Sequence, residues 1–367
     1  MAKRKIVHIF IDLKFVSQIK KFESPGVENK LIIWGEKGDL PPIYDRVAIY
    51  IYPKRENVDT VVSECDGADL VVLNSLIPII VLSLPKNLKI AWRFFGFEIY
   101  ERILPKVLSK ETLTIYRTQE RGSHIVKFMK ECVLFLFPNL SWFNRSLKRV
   151  DYFLGAFQEE YLLLKSLGFK LPPFIQVPIV LNETSYMQYR KSPVLLLGNS
   201  RVVFNNHIDI IRMLEKPSAI SGITVKLFFS YGSNAYYAET VRHEAQILPG
   251  VEFLDRFISR PEFERVYQQA AAVVINSYRQ MALGNIFTAL QTGTKIYLSE
   301  RNVTYHWLKK HQFRIFSIEK DLYADLLRSD IFLSEFDAEH NFKKLLELRD
   351  GYTISDFQCK INNLMVN

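Results

Sequence analysis

Short apolar runs alternate with amphipathic stretches along nearly the whole chain, the rhythm that supplies buried parallel strands and the helices that cover them. In the first half the runs at 6–11, 30–34, 46–52, 70–73, 88–94, 152–154 and 174–180 predict strands. Helical spacing falls between them at 16–22, 58–62 and 158–167, and a Pro-bearing apolar helix follows Asn74. A polar, patternless stretch at 181–192 reads as a linker. Beyond it, strands are expected at 194–197, 224–230, 251–254, 270–275, 295–298 and 313–318. Helices are expected at 208–214, 236–248, 261–271, 281–292, 305–311, 322–332 and 339–348. Such alternation argues α/β architecture with two doubly wound, Rossmann-like domains. Their expected extents are 1–185 and 193–340, with a helical segment at 341–367 returning to the first domain.

In open parallel sheets, ligands bind beyond the carboxyl ends of the strands, so the residues there matter most. The run 276–302 is the richest: a small-residue strand, the polar turn Ser277-Tyr278-Arg279-Gln280, then a helix with Gly284 and Asn285 in its first turn. A helix start directs free backbone N–H groups and a partial positive charge outward, and an arginine beside it suits a diphosphate. An ordinary βαβ packing unit has the same pattern, and both readings stand. Two further strand ends carry small or polar residues, Gly198-Asn199-Ser200 and Ser230-Tyr231-Gly232, and Asn205 is placed to cap the helix expected at 208–214. In the first domain Asp12, Lys14, Asn74, Arg93 and Glu98 fall at the corresponding edge. The chain contains neither a GxGxxG nor a Walker A motif, which sets aside dinucleotide and P-loop readings.

Charge adds a partner class. A formal net charge of +9 over 367 residues implies an anionic partner. Between 124 and 150, Lys127, Lys130, Arg145, Lys148 and Arg149 alternate with aromatics that include Trp142 and Phe143. That mixture suits an anionic membrane surface; the alternative is aromatic core beneath a solvated basic face. No nucleic-acid motif accompanies it, so no nucleic-acid partner is expected. The apolar stretch 70–84 is too short and too polar to span a bilayer, and residues 6–11 read as a strand and not a signal peptide. Cys65, Cys132 and Cys359 lack metal-ligand spacing and suggest reduced thiols. There is no Asp-x-Asp at a strand end and no spaced His/Asp cluster, so neither metal nor cofactor is expected.

Two such domains facing across a cleft is the GT-B glycosyltransferase architecture, and the motifs narrow it further. Trp92–Tyr100 (WRFFGFEIY), Gly198–His207 (GNSRVVFNNH), Gly232 followed by Asn234–Tyr236, Arg279-Gln280 with Gly284, Gln291 and Gly293, and His8 in the first strand occur in order over most of the chain. In these residues the chain resembles glycosyltransferase family 56, the TDP-N-acetylfucosamine:lipid-linked-glycan transferases of enterobacterial common antigen synthesis. It departs at Glu98 and Ala282, where that family has aspartate and glycine, and at Ser299-Glu300-Arg301-Asn302, where the family reads Asn-Arg-Glu-Asn.

The resemblance implies transfer of a deoxy-amino sugar from a nucleoside diphosphate to a polyprenyl-linked glycan, by a peripheral protein at the cytoplasmic face of a bacterial inner membrane. In that frame Arg279 with Gln280, Gly284 and Asn285 meets the diphosphate. Gly198, Asn199, Ser200, Asn205 and His207 approach the donor from the facing loop. Tyr231, beside Gly232, stacks on the base, and Glu300 accepts from ribose hydroxyls. Glu98 is the general base, with Asp12 as runner-up. Plain structural roles remain the alternative at each position. Two other readings keep the fold: a sugar-nucleotide 2-epimerase, and a non-catalytic scaffold subunit.

Overall fold

The computed structural model describes residues 3–38, 40–119, 141–181, 185–215, 222–232 and 235–366. These form two compact units, one from 3–98, 141–180 and 351–366, the other from 99–119 and 181–350.

The first unit is built on a parallel sheet of β1 (Arg4–Phe10), β2 (Val27–Trp34), β3 (Ala48–Ile51), β4 (Leu70–Leu73), β5 (Ile90–Arg93), β6 (Tyr152–Gly155) and β7 (Phe174–Gln176), in the order β3-β2-β1-β4-β5-β6-β7. β4 is buried along its length, which is why it is apolar at every position rather than alternating. The strand expected at 174–180 stops at Gln176. Val177 N–H still bonds Gly155 O at 2.8 Å, but the next residue is Pro178, which has no N–H to continue the ladder.

On one face Ile6, Leu70, Val72, Ala91 and Leu154 pack with Phe22, from the 3-10 helix Leu13–Phe22, and with Phe357 and Ile361. The last two belong to helix Ile354–Leu364, whose start carries a full capping box between Thr353 and Asp356.

The second unit's sheet contains β8 (Ser192–Leu197), β9 (Thr224–Phe228), β10 (Val251–Leu254), β11 (Ala270–Ile275), β12 (Lys295–Leu298) and β13 (Phe316–Ser317), ordered β10-β9-β8-β11-β12-β13 and again parallel. β11 is wholly buried, and its three leading alanines suit close helix approach. The late strand expected at 313–318 shortens to two residues, because Ser317 caps a π-helical turn at Ile318–Leu322. Helix Tyr323–Leu327 follows, shorter than the expected 322–332, whereas the helix expected at 339–348 extends over Glu335–Gly351.

A hairpin of Leu104–Val107 and Lys110–Gln119 also belongs to this unit. Ser109 Oγ, between the two segments, donates to Asp209 Oδ2 at 2.6 Å.

Candidate functional site

Strand order in the second sheet reverses at β8. The chain runs from β8 outward to β9 and β10, then returns to place β11 on β8's other side. The two strands stay paired to their carboxyl ends, where the connections that leave them part; this switch point is the position where open α/β sheets hold ligands. Residues 198–206 form one lip and 276–285 the other.

Gly198 turns the chain out of β8 with φ of 67°, and a Cβ there would stand 2.6 Å from His207 Nε2. Only glycine fits both the conformation and the space. His207 is buried beneath this turn, its N–H and Nδ1 lying 3.0 and 3.1 Å from Tyr237 Oη. Burial pushes its pKa down to about 3, against a smaller upward pull from the Ser200 backbone, so the imidazole is neutral at ordinary pH.

Asn205 does not cap the following helix as expected. Its Nδ2 donates to Ser200 O at 2.9 Å and fixes the loop, while Asn206, left-handed at φ 45°, occupies the cap position. Asn206 and Asn276 exchange amide-to-carbonyl bonds of 2.9 and 3.1 Å, and Asn206 Oδ1 accepts from Ser109 N at 2.8 Å. Ser200, Asn205 and His207 are thus buried, and Asn199 is part-exposed, its Nδ2 donating to Tyr231 Oη at 3.0 Å. Gly232, at φ 135°, lies against Arg201, whose Nε donates to Gly232 O at 2.7 Å.

On the other lip, Ser277 Oγ accepts from Arg279 N at 3.3 Å and donates to Arg279 O at 3.0 Å, closing a tight turn. The Arg279 guanidinium is packed between two rings, 4.5 Å from the centre of Phe204 and 5.3 Å from that of Tyr100. Aromatic faces attract the cation, and Nη1 also donates to Gln280 O at 3.3 Å. Nearby Glu101 has its carboxyl pKa raised by burial, with Arg279 and then Arg102 pulling it back down.

Ala282, left-handed at φ 59°, starts helix Leu283–Thr292 with no side-chain cap. The first backbone N–H groups, those of Gly284 and Asn285 among them, have no intrahelical acceptor by position. Nothing crowds Gly284. The Asn285 side chain is engaged elsewhere, Nδ2 donating to Tyr267 Oη at 2.8 Å.

After β12, Glu319 accepts from Ser299 Oγ at 2.5 Å and Glu300 N at 3.0 Å. The Glu300 carboxylate is paired with Lys320 at 2.7 Å, and that hydrogen bond holds its pKa below the ordinary value. Tyr100, Phe204, Asn206 and Glu319 complete this neighbourhood and were missed as site residues in the sequence. Phe204 and Asn206 lie inside the GNSRVVFNNH motif, and Tyr100 ends WRFFGFEIY, so those two signals were legible.

In the first unit, Glu98 is half-buried in the turn Phe97–Tyr100, its Oε1 accepting from Trp92 Nε1 at 3.2 Å and Leu76 N at 3.3 Å. Asp12 caps the 3-10 helix through Lys14 N and pairs with Lys14 Nζ at 2.7 Å. His8 is buried in β1, its Nε2 2.9 Å from Asn29 Oδ1, and burial pushes its pKa down to about 4 against a smaller upward effect of that bond.

Lys127 and Lys130 lie outside the described residues. The rest of the basic–aromatic set divides on helix Trp142–Arg149. Phe143 is core, and Arg149 is part-buried and tied to the carbonyls of Pro85 and Leu88 and to Asp151. Trp142, Arg145 and Lys148 are exposed along one i, i+3 stripe. Among the described residues no helix is long and apolar enough to cross a membrane, and no three His, Cys, Asp or Glu side chains are grouped to hold a metal.

No family model matches the chain, and no curated protein matches it by sequence. Its fold does match solved structures. Sucrose-phosphate synthase from Thermosynechococcus elongatus aligns with a TM-score of 0.64 at 11% identity, covering 98% of each chain. WaaG, a glycosyltransferase involved in lipopolysaccharide biosynthesis, aligns at 0.61 and 12% identity over 98% of this chain and 99% of its own. An alpha-glucosyltransferase in complex with UDP aligns at 0.60 and 11% identity over 99% and 100%. The chain therefore has the two-domain α/β fold of the GT-B glycosyltransferases.

Proposed function

We propose that the chain is a glycosyltransferase that takes a sugar from a nucleoside diphosphate bound at the switch point between β8 and β11. One observation carries this reading. Arg279, held between Tyr100 and Phe204, stands in the turn that leads to the uncapped start of helix Leu283–Thr292. A fixed cation and free helix N–H groups at one strand end suit a diphosphate, and they would stabilise the charge that develops as the nucleotide leaves. Asn199 with Tyr231 on the opposite lip would meet the nucleoside or sugar.

The finer reading follows the family-56 resemblance. The donor sugar is a deoxy-amino sugar on dTDP, the acceptor a polyprenyl-linked glycan, and the protein works peripherally on the cytoplasmic membrane face without a metal. Glu98 is the proposed base, with Trp92 and the Leu76 N–H fixing its carboxylate, and Asp12, already paired with Lys14, is the weaker candidate. The fold shared with a UDP-bound glucosyltransferase and with WaaG supports the general reaction.

Thermal melts with TDP, UDP, GDP and ADP test this. A nucleotide at roughly a hundredfold excess over its Kd stabilises the fold by about 2.7 kcal/mol. TDP is expected to raise the midpoint most, and Arg279→Ala to weaken its affinity by roughly tenfold or more. If no nucleotide moves the midpoint of the folded wild type, the transferase reading is wrong.

A further inference from the structure

The first unit contains a second cationic group that the donor site does not use. Ala91 lies in the core cluster with Phe22, on the face covered by the 3-10 helix and the carboxyl-terminal helix. Alternation along β5 places Arg93 on that same face, two residues on at the strand's end, while Trp92 points to the other side with Glu98 as its partner. Lys21, in the last turn of the 3-10 helix beside Phe22, reaches Pro178 O just past β7, at the carboxyl edge of the same sheet.

Both cations are largely buried, and the acceptors recorded for them are main-chain carbonyls. Lys21 Nζ donates to Pro178 O at 3.0 Å, just past β7, and Arg93 Nη1 donates to Leu154 O at 3.1 Å, in β6. Arg93 Nε is buried with no hydrogen-bond acceptor among the described residues. The guanidinium also lies 5.2 Å from the centre of Phe95, which stacks on Phe15 at 3.9 Å.

The two cations act on each other. Burial and then the Arg93 charge push the Lys21 pKa down to about 7, and burial pushes Arg93 down to about 10, opposed by Glu160. Among the described residues the charged groups acting on one another here are Lys21, Arg93 and Glu160, and carbonyl dipoles are a poor substitute for a counter-charge.

We propose that Lys21 and Arg93 form an anion subsite at the carboxyl edge of β5–β7, built for a phosphate or diphosphate group carried by the acceptor. A tetrahedral anion can bridge an ammonium and a guanidinium and supply acceptors to Nε and to the remaining Lys21 protons together. The assignment to the acceptor rests on the transferase reading; the anion site itself does not.

The test separates the two. Inorganic pyrophosphate is titrated calorimetrically into the full chain carrying Arg279→Ala, so that the second unit's cation is absent. Binding is expected to persist there, to fall by about tenfold or more on adding Lys21→Met or Arg93→Gln, and to survive Lys21→Arg. Lys21→Met alone is expected to leave the TDP-induced shift of the midpoint unchanged. Far-UV circular dichroism checks that each variant is folded.

Loss of pyrophosphate binding with Arg279→Ala alone, or indifference to Lys21→Met and Arg93→Gln, overturns the subsite. If it survives while no nucleotide binds wild type, the transferase reading fails and the anion site stands. Comparing a short prenyl diphosphate with pyrophosphate and a neutral prenol then identifies the source. Tighter binding of the prenyl diphosphate assigns a lipid-linked group, and equal binding assigns a free or sugar-borne phosphate.

Discussion

At Asn206 one side chain joins three separated stretches: the hairpin at Ser109, the end of β11 at Asn276, and the helix it precedes. Asparagine suits the position twice over. It tolerates the left-handed backbone better than most residues, and its amide both donates and accepts. Asn206→Ala would leave Ser109 N–H and Asn276 O buried without partners, at about 1–3 kcal/mol for each group. Urea unfolding should show a loss of that order. Asn206→Gly, which keeps the backbone freedom and removes the amide, should lose nearly as much; a wild-type midpoint in Asn206→Gly would mean that backbone conformation alone matters. Arg279 likewise sits among aromatic rings, whose faces attract the cation and help hold it in place.

At the scale of an element, helix Trp142–Arg149 has two faces with different duties. Phe143, Leu147 and Arg149 fasten it to the first unit, whereas Trp142, Arg145 and Lys148 line the exposed stripe. If the membrane reading is right, that stripe is where an anionic bilayer is met. Wild type should then sediment with phosphatidylglycerol-containing vesicles and remain in the supernatant with pure phosphatidylcholine. Trp142→Ala with Arg145→Glu should weaken the first behaviour several-fold, since each basic group near such a surface is worth about 1 kcal/mol. Equal binding by wild type and variant would assign the stripe to ordinary solvated surface.

Across the whole molecule, the first unit is assembled from distant parts of the chain. Helix Ile354–Leu364 closes the core begun by β1, with Phe357 fully buried and packed edge-on to Phe22 at 5.0 Å between ring centres. Phe357→Ala is expected to destabilise that unit by about 3–5 kcal/mol. Native-state hydrogen exchange should localise the loss to β1, β4 and β5 while the second sheet keeps its protection. Uniform loss across both sheets would show that the two units unfold as one.

The sequence by itself determined the elements whose physics is local. β4 and β11 fall where unbroken apolar runs placed them, because a strand buried on both faces must be apolar throughout. The polar strand ends and the helix start after Arg279 were legible for the same reason, since turns and caps are written in neighbouring residues. What the sequence could not supply was which side of a strand end faces a ligand and which faces the core. Thus the sequence did not show that Ser200, Asn205 and His207 are buried, that Phe143 is core and Arg149 is tied to main-chain carbonyls, or that Lys21 and Arg93 come to one sheet edge. Those outcomes depend on strand order and on helices folding back over many residues. Long-range packing of this kind leaves no periodic trace in the chain, and only the tertiary structure decided it.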